Sequence, residues 1–112
     1  MIDEIKKLEA CLVNEKIVKF IGQNKQSFKF KLDDGSDMSI GGDRTVKALN
    51  LVSRDGDDDY SNLLIESVIY YITPSGILII LINDNIELSF ERESGSFIFI
   101  SFGNTIECKI LT

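Results

Sequence analysis

The sequence contains no histidine, and this absence excludes several kinds of catalytic site. Histidine is the commonest general base and metal ligand, and it activates the nucleophile in Ser-His and Cys-His pairs. The glycine-rich phosphate-binding motifs GxGxxG and GxxxxGK[ST] are also missing. None of the acidic residues lies in an apolar stretch that would favour its protonated form. We therefore predict a protein without enzymatic activity, catalytic residues, bound metal or cofactor.

Cysteine and proline are scarce as well. The two cysteines, Cys11 and Cys108, lie at opposite ends of the chain and fit neither a metal spacing nor a CxxC redox motif. The first residues have no basic segment followed by an apolar stretch, so we predict no signal peptide and a cytoplasmic location. We expect two free, buried thiols, although a disulfide that closes nearly the whole chain is an alternative. One proline and eight glycines leave no linker, so residues 1–112 should form a single domain.

Basic residues are rare in the second half of the chain. Residues 1–54 carry ten Lys/Arg and eight Asp/Glu, whereas residues 55–112 carry two Lys/Arg and ten Asp/Glu. The net charge is −6 and the pI is about 4.6. This acidity disfavours nucleic acids and anionic membranes as partners, because phosphates require a basic surface. It suits a basic protein partner.

The longest apolar run, residues 77–82, is the clearest structural signal. It is far too short to cross a bilayer, which takes about 20 residues. Its β-branched residues and its turn-forming flanks favour a strand over a helix. Because neither face of this strand is polar, both faces must be covered, and we predict a central strand.

The other elements follow from hydrophobic periodicity. Ile2, Ile5, Leu8 and Leu12 recur at helical spacing and predict an amphipathic N-terminal helix. Alternating apolar residues predict strands over 17–21, 28–32, 38–40, 66–73, 86–91, 97–102 and 105–110. Hairpin turns are predicted at residues 33–35 and 103–104. The segment 46–52 fits either a strand or a loop.

The chain also repeats itself at a spacing of fifty residues. Val18 aligns with Val68, Phe30 with Ile80, and the turn at residues 34–35 with the turn at residues 84–85. This repeat predicts two antiparallel β-meanders in pseudo-repeat halves of about 14–52 and 64–110. The predicted fold is mainly β (α+β), a sandwich or strongly curved sheet with one N-terminal helix.

An acidic loop near the middle of the chain, residues 54–62, permits several interpretations. Asp55, Asp57, Asp59, Ser61 and Glu66 have the spacing of calcium ligands in an EF-hand loop, but Tyr60 stands where that loop requires glycine. A plain solvated loop is the simplest interpretation. In a third interpretation the aspartates face basic residues of a protein partner and Tyr60 is an aromatic anchor. Acidic residues on and just after the predicted strand at 86–91 form a second candidate surface. The predicted partner-binding residues are Asp55, Asp57, Asp58, Asp59, Tyr60, Glu87, Glu91 and Glu93.

The duplicated unit supports a family resemblance. Residues 18–40 carry the pattern V-x-F…F-x-F-x-L-D-D-G-x-x-M-x-I, and residues 68–90 repeat its spacing of apolar positions and turn with few identities, Asn85 standing in place of the glycine. In this the chain resembles the small acidic β immunity proteins of bacterial contact-dependent inhibition and other polymorphic-toxin systems. The resemblance implies a cytoplasmic, non-enzymatic inhibitor that binds its toxin, often a nuclease, with a ribonuclease favoured over a deoxyribonuclease. We expect a monomer or weak dimer. The alternatives are a small-ligand- or calcium-binding β module and a structural subunit that pairs its sheet edges with other copies.

Overall fold

The computed structural model describes residues 2–112 and consists of one helix and ten strands. The side chain of Ile2, placed on the apolar stripe of the predicted helix, lies outside the described residues. The helix α1 spans Ile2–Leu12. The strands are β1 (Lys16–Gln23), β2 (Ser27–Leu32), β3 (Asp37–Gly42), β4 (Ala48–Ser53), β5 (Leu63–Leu64), β6 (Val68–Ile72), β7 (Leu78–Ile82), β8 (Ile86–Glu91), β9 (Phe97–Phe102) and β10 (Thr105–Leu111).

The strands form two antiparallel sheets around a shared core. Sheet A has the order β10-β9-β3-β2-β1-β5, and sheet B has the order β4-β8-β7-β6. The rings of Phe28 in sheet A and Phe90 in sheet B meet edge to face, with 5.5 Å between their centroids. Both side chains are fully buried. The prediction of a mainly β fold with two antiparallel meanders and an N-terminal helix is therefore confirmed.

The second hairpin of each meander has the same strand register. Phe30 pairs with Met38 across β2 and β3, and their counterparts fifty residues later, Ile80 and Leu88, pair across β7 and β8. The central strand β7 lies between β6 and β8, and all five of its residues are buried. The pattern of the run at residues 77–82 thus identified its position correctly.

The strand that follows each meander crosses to the other sheet. The strand β4 follows the first meander but pairs with β8, whereas β9 follows the second meander and pairs with β3. The segment of uncertain structure at 46–52 is therefore mostly an edge strand, β4. The predicted strand at 66–73 is shorter than expected, and the pair of residues in β5 precedes it. Neither half can complete its sheet alone, because sheet B receives β4 from the first half and sheet A receives β5, β9 and β10 from the second.

The helix closes one side of the sandwich. It packs against β6 at the edge of sheet B and against β10 at the edge of sheet A. Its apolar side chains Leu8 and Leu12 are fully buried. Within the described part of the chain, no helix has the length and apolar character needed to cross a membrane.

Both cysteines lie where the helix meets β10. Cys108 is buried and Cys11 is partly exposed, and both are free thiols. Burial, followed by the hydrogen bond between the two thiols, raises the pKa of Cys108 to about 12. Burial is also the main cause that raises the pKa of Cys11.

Alkylation should distinguish these two thiols. Because the thiolate is the reacting species and burial raises the pKa of Cys108, iodoacetamide should modify Cys108 more slowly than the partly exposed Cys11. Mass spectrometry of tryptic peptides over time measures both rates. In urea the two rates should become equal. Equal rates in the native protein would contradict the buried position of Cys108.

Asp43 links the segment between β3 and β4 with the start of β9. Its Oδ1 accepts hydrogen bonds from the Thr45 amide (2.9 Å) and hydroxyl, and its Oδ2 accepts one from the Phe97 amide (3.0 Å). The Thr45 hydroxyl, followed by the Phe97 amide, holds the pKa of Asp43 below its usual range. The carboxylate thus fastens the segment after β3 to the start of β9.

Replacement of Asp43 by asparagine should destabilise the fold by about 1–3 kcal/mol at pH 7, because an amide NH₂ would face a backbone N–H donor. The lowered pKa means that the carboxylate stabilises the fold above the unfolded-state pKa of about 3.9 and loses this effect as pH falls through the folded-state value. Urea unfolding at pH 7 and pH 3 measures both effects. The difference in free energy of unfolding between wild type and Asp43→Asn should be smaller at pH 3 than at pH 7. An equal difference at both pH values would contradict the stabilising role of the Asp43 carboxylate.

Candidate functional site

The acidic loop between β4 and β5 is ordered by its own carboxylates. The Asp57 amide donates to Asp55 Oδ1 (2.9 Å), the Asp59 amide to Asp57 Oδ1 (3.0 Å), and the Ser61 amide to Asp59 Oδ1 (3.0 Å). The Ser61 hydroxyl and amide lower the pKa of Asp59. The aspartates are exposed, so the loop presents a fixed row of negative charges to solvent.

The loop does not arrange these carboxylates as calcium ligands. Each of the three alternate aspartates bonds the backbone amide two residues further along, and the chain on both sides of the loop is extended. In residues 2–112 no three acidic or cysteine side chains are grouped so that they could hold a metal ion. The backbone amide of Glu66 bonds the Asn83 side chain (2.7 Å). The geometry therefore gives no support to the EF-hand interpretation.

Tyr60 faces the core, which corrects its interpretation as an aromatic anchor for a partner. Its side chain is only 9% exposed, and its ring meets that of Phe20 edge to face, with 6.1 Å between centroids. The Ser53 hydroxyl donates to its hydroxyl oxygen at 3.3 Å. Tyr60 thus attaches the acidic loop to β1 and to the end of β4.

The turn between β7 and β8 forms hydrogen bonds with the start of the acidic loop. Asn85 Oδ1 accepts the Asp55 amide (3.0 Å), and Asn85 Nδ2 donates to Asp55 Oδ2 (3.2 Å). Asn83 bonds the backbone of the chain between β5 and β6 through both ends of its amide. The sequence analysis missed these roles. The signal available was the run Asn-Asp-Asn, since Asn and Asp are the residues that best tolerate the positive φ found at Asn83 and Asp84.

Arg54 lies among the acidic groups at this end of sheet B. Its guanidinium is 3.3 Å from Asp84 Oδ1 and 3.7 Å from Glu87 Oε2. In the sequence no other Lys or Arg occurs until Arg92. We call the surface formed by Asp55, Asp57, Asp58, Asp59, Asp84 and Glu87 the acidic end.

The structure separates two of the predicted site residues from the acidic end. Glu91 pairs with Ala48 at the opposite end of β8 from Glu87, a strand distance of about 13 Å. Glu93 follows β8, and its carbonyl accepts a hydrogen bond from the Ser96 hydroxyl. Both side chains are exposed. Of the predicted residues, the four aspartates lie on one loop and Glu87 is an ion-pair partner of Arg54 at the start of that loop, whereas Glu91 and Glu93 lie elsewhere.

A cleft of about 510 Å³ adjoins the acidic loop, on the side of the sandwich away from the helix. Its walls are the neighbouring edges of β1 and β4, and Phe20, Leu51 and Tyr60 supply its apolar surface. The polar side chains at its rim are Lys19, Gln23, Asn50, Asp58, Asp59 and Ser61. The cleft has no local signal in the sequence, because its position depends on which sheet edges β4 and β1 occupy.

Truncation of Tyr60 should release the acidic loop. Tyr60→Ala should lower the free energy of unfolding by about 3 kcal/mol, since it removes a buried ring. The matched variant Tyr60→Phe keeps the ring and should cost about 1 kcal/mol or less. Urea unfolding gives both values, and amide exchange should be faster at Asp57–Ser61 in the alanine variant alone. Equal stability of the two variants would contradict the buried position of the ring.

When the chain is compared with protein-family models, with curated proteins and with solved structures, nothing matches. Similarity therefore does not establish a family, and function has to be argued from the geometry of this chain. The residues available for that argument are the ordered aspartates of the acidic end and the open cleft beside them.

Proposed function

We propose that this protein is a cytoplasmic immunity protein, which binds a basic toxin domain and neutralises it without catalysing a reaction. The observation that supports this proposal best is the acidic end, where exposed carboxylates stand on an ordered loop. The toxin is proposed to be a nuclease, and a ribonuclease rather than a deoxyribonuclease. This part of the proposal rests on the resemblance of residues 18–40 and 68–90 to immunity proteins.

The physical argument is one of charge complementarity. A nuclease binds phosphates in a basic cleft, and an acidic surface that covers or adjoins this cleft is attracted to it. Opposite charges accelerate association and exclude partners of the wrong sign. Because Asp55, Asp57 and Asp59 already bond backbone amides, little conformational entropy is lost when the loop docks.

The direct test uses the protein encoded immediately upstream in the genome. Its toxic domain should bind this chain in calorimetry, with an affinity that falls as salt is added, and coexpression should rescue cells from its toxicity. A catalytically inactive variant of the toxic domain allows binding to be measured separately from rescue. Neither binding nor rescue would contradict the proposal.

Charge reversal in the acidic loop should weaken the complex through its association rate. Asp58→Lys changes an exposed aspartate whose side chain has no hydrogen bond partner among the described residues, and we expect association about tenfold slower at low salt. Stopped-flow fluorescence at two salt concentrations measures this rate.

The matched control is Asp33→Lys, which introduces the same charge change in the β2–β3 turn. Asp33 is also exposed and lies outside the acidic loop, between β2 and β3. Its reversal should change the association rate less than twofold. Equal effects of the two variants would mean that overall charge, and not the acidic end, determines association.

A further inference from the structure

The cleft beside the acidic loop lies between two strand edges without a neighbouring strand. In sheet A, β5 covers β1 only at Lys16 and Ile17, so the outer edge of β1 has no strand partner in the described chain from Val18 to Gln23. In sheet B, β4 is the terminal strand and pairs only with β8. On the opposite side of the sandwich the edge strands β6 and β10 are covered, because α1 packs against both of them.

The backbone of β4 directs hydrogen-bonding groups into this cleft. The Gln23 side-chain amide reaches across and donates to the Leu49 carbonyl at 3.5 Å. This bond shows that the Leu49 backbone points away from β8. In a strand, alternate residues direct their backbone groups to the same side, so the N–H and C=O of Leu51 point into the cleft too. Such groups are a template for an additional strand.

The side chains of the cleft indicate what kind of strand it accepts. Leu49 and Leu51 face the core but are only partly buried, so apolar surface remains available at this edge. Asp58 and Asp59 supply two carboxylates at the rim, against the single cation of Lys19. An extended segment that alternates apolar and basic residues matches both features.

We infer that the cleft binds an extended basic segment of the protein partner, which pairs its backbone with β4 and places Lys or Arg beside Asp58 and Asp59. Strand addition gives affinity through main-chain hydrogen bonds and specificity through alternate side chains. This inference rests on the proposed function and defines the contact more closely. It adds main-chain hydrogen bonds with β4 to the charge attraction on which the proposed function depends.

The test uses the full chain and a blocked eight-residue peptide of alternating lysine and valine. The peptide should slow amide hydrogen exchange at Leu49 and Leu51, as measured by NMR. A peptide of alternating glutamate and valine is the matched control and should not slow it. Protection confined to other strands, equal protection by both peptides, or no protection at all would overturn the inference.

A pair of variants isolates the main-chain bond. Leu51→Pro removes the N–H that faces the cleft, and proline is tolerated at such edge positions because no ladder bond to β8 is lost. Leu51→Ala also shortens the side chain but keeps the N–H. The lysine peptide should bind the proline variant about tenfold more weakly than the alanine variant. Equal affinities of the two folded variants would contradict strand pairing. If the proline variant does not fold, amide exchange of the wild type decides.

The same exchange measurement with the upstream-encoded toxin domain separates this inference from the proposed function. Binding of the toxin domain without protection of Leu49 and Leu51 would overturn the inference and leave the function intact. Failure of the toxin domain to bind, together with protection by the lysine peptide, would overturn the function and leave the cleft as a peptide-binding site.

Discussion

The exchange of β4 and β9 between the two meanders is the constraint on which the rest of this structure depends. Each exchanged strand completes a sheet that began in the other half of the sequence. The pairing of β4 with β8 also determines where the acidic loop starts, since Ser53 lies opposite Ile86. The loop therefore emerges beside the β7–β8 turn, and Asn85 can bond Asp55. Without this exchange the carboxylates of the acidic end would not be neighbours.

The exchange also leaves one side of the sandwich covered by the helix and the other side open. The helix α1 packs along β6 and β10, whereas on the other side the Gln23–Leu49 hydrogen bond and Tyr60 connect β1 with β4. Exposed edges are aggregation hazards, which proteins commonly reduce with charged residues and irregular strands. Here β1 contains two register irregularities, and Asp58 and Asp59 lie at the cleft rim. The same features that discourage pairing with arbitrary strands fit the basic segment that we propose for this cleft.

Local pattern was enough to predict the meanders but not their assembly. Period-two alternation specifies which residues face the core, so the burial of β7 and the equivalence of the Phe30–Met38 and Ile80–Leu88 pairs followed from sequence. It does not specify lateral neighbours, so the exchange and the cleft remained hidden. The error over Tyr60 has a similar cause. An aromatic residue in an acidic loop resembles an exposed anchor until the position of Phe20, forty residues earlier, is known.

The hydrogen bonds of the loop carboxylates fit the recognition role that we propose. A general acid and base require two groups held near one substrate atom, with environments that differ. In the acidic loop, Asp55, Asp57 and Asp59 each accept the backbone amide two residues along and remain exposed, so the backbone of the loop itself holds their side chains. Their spacing follows from the backbone alone, and Tyr60 fixes the loop to the core. A rigid row of like charges beside an open strand edge has the properties that a docking surface for a basic protein requires.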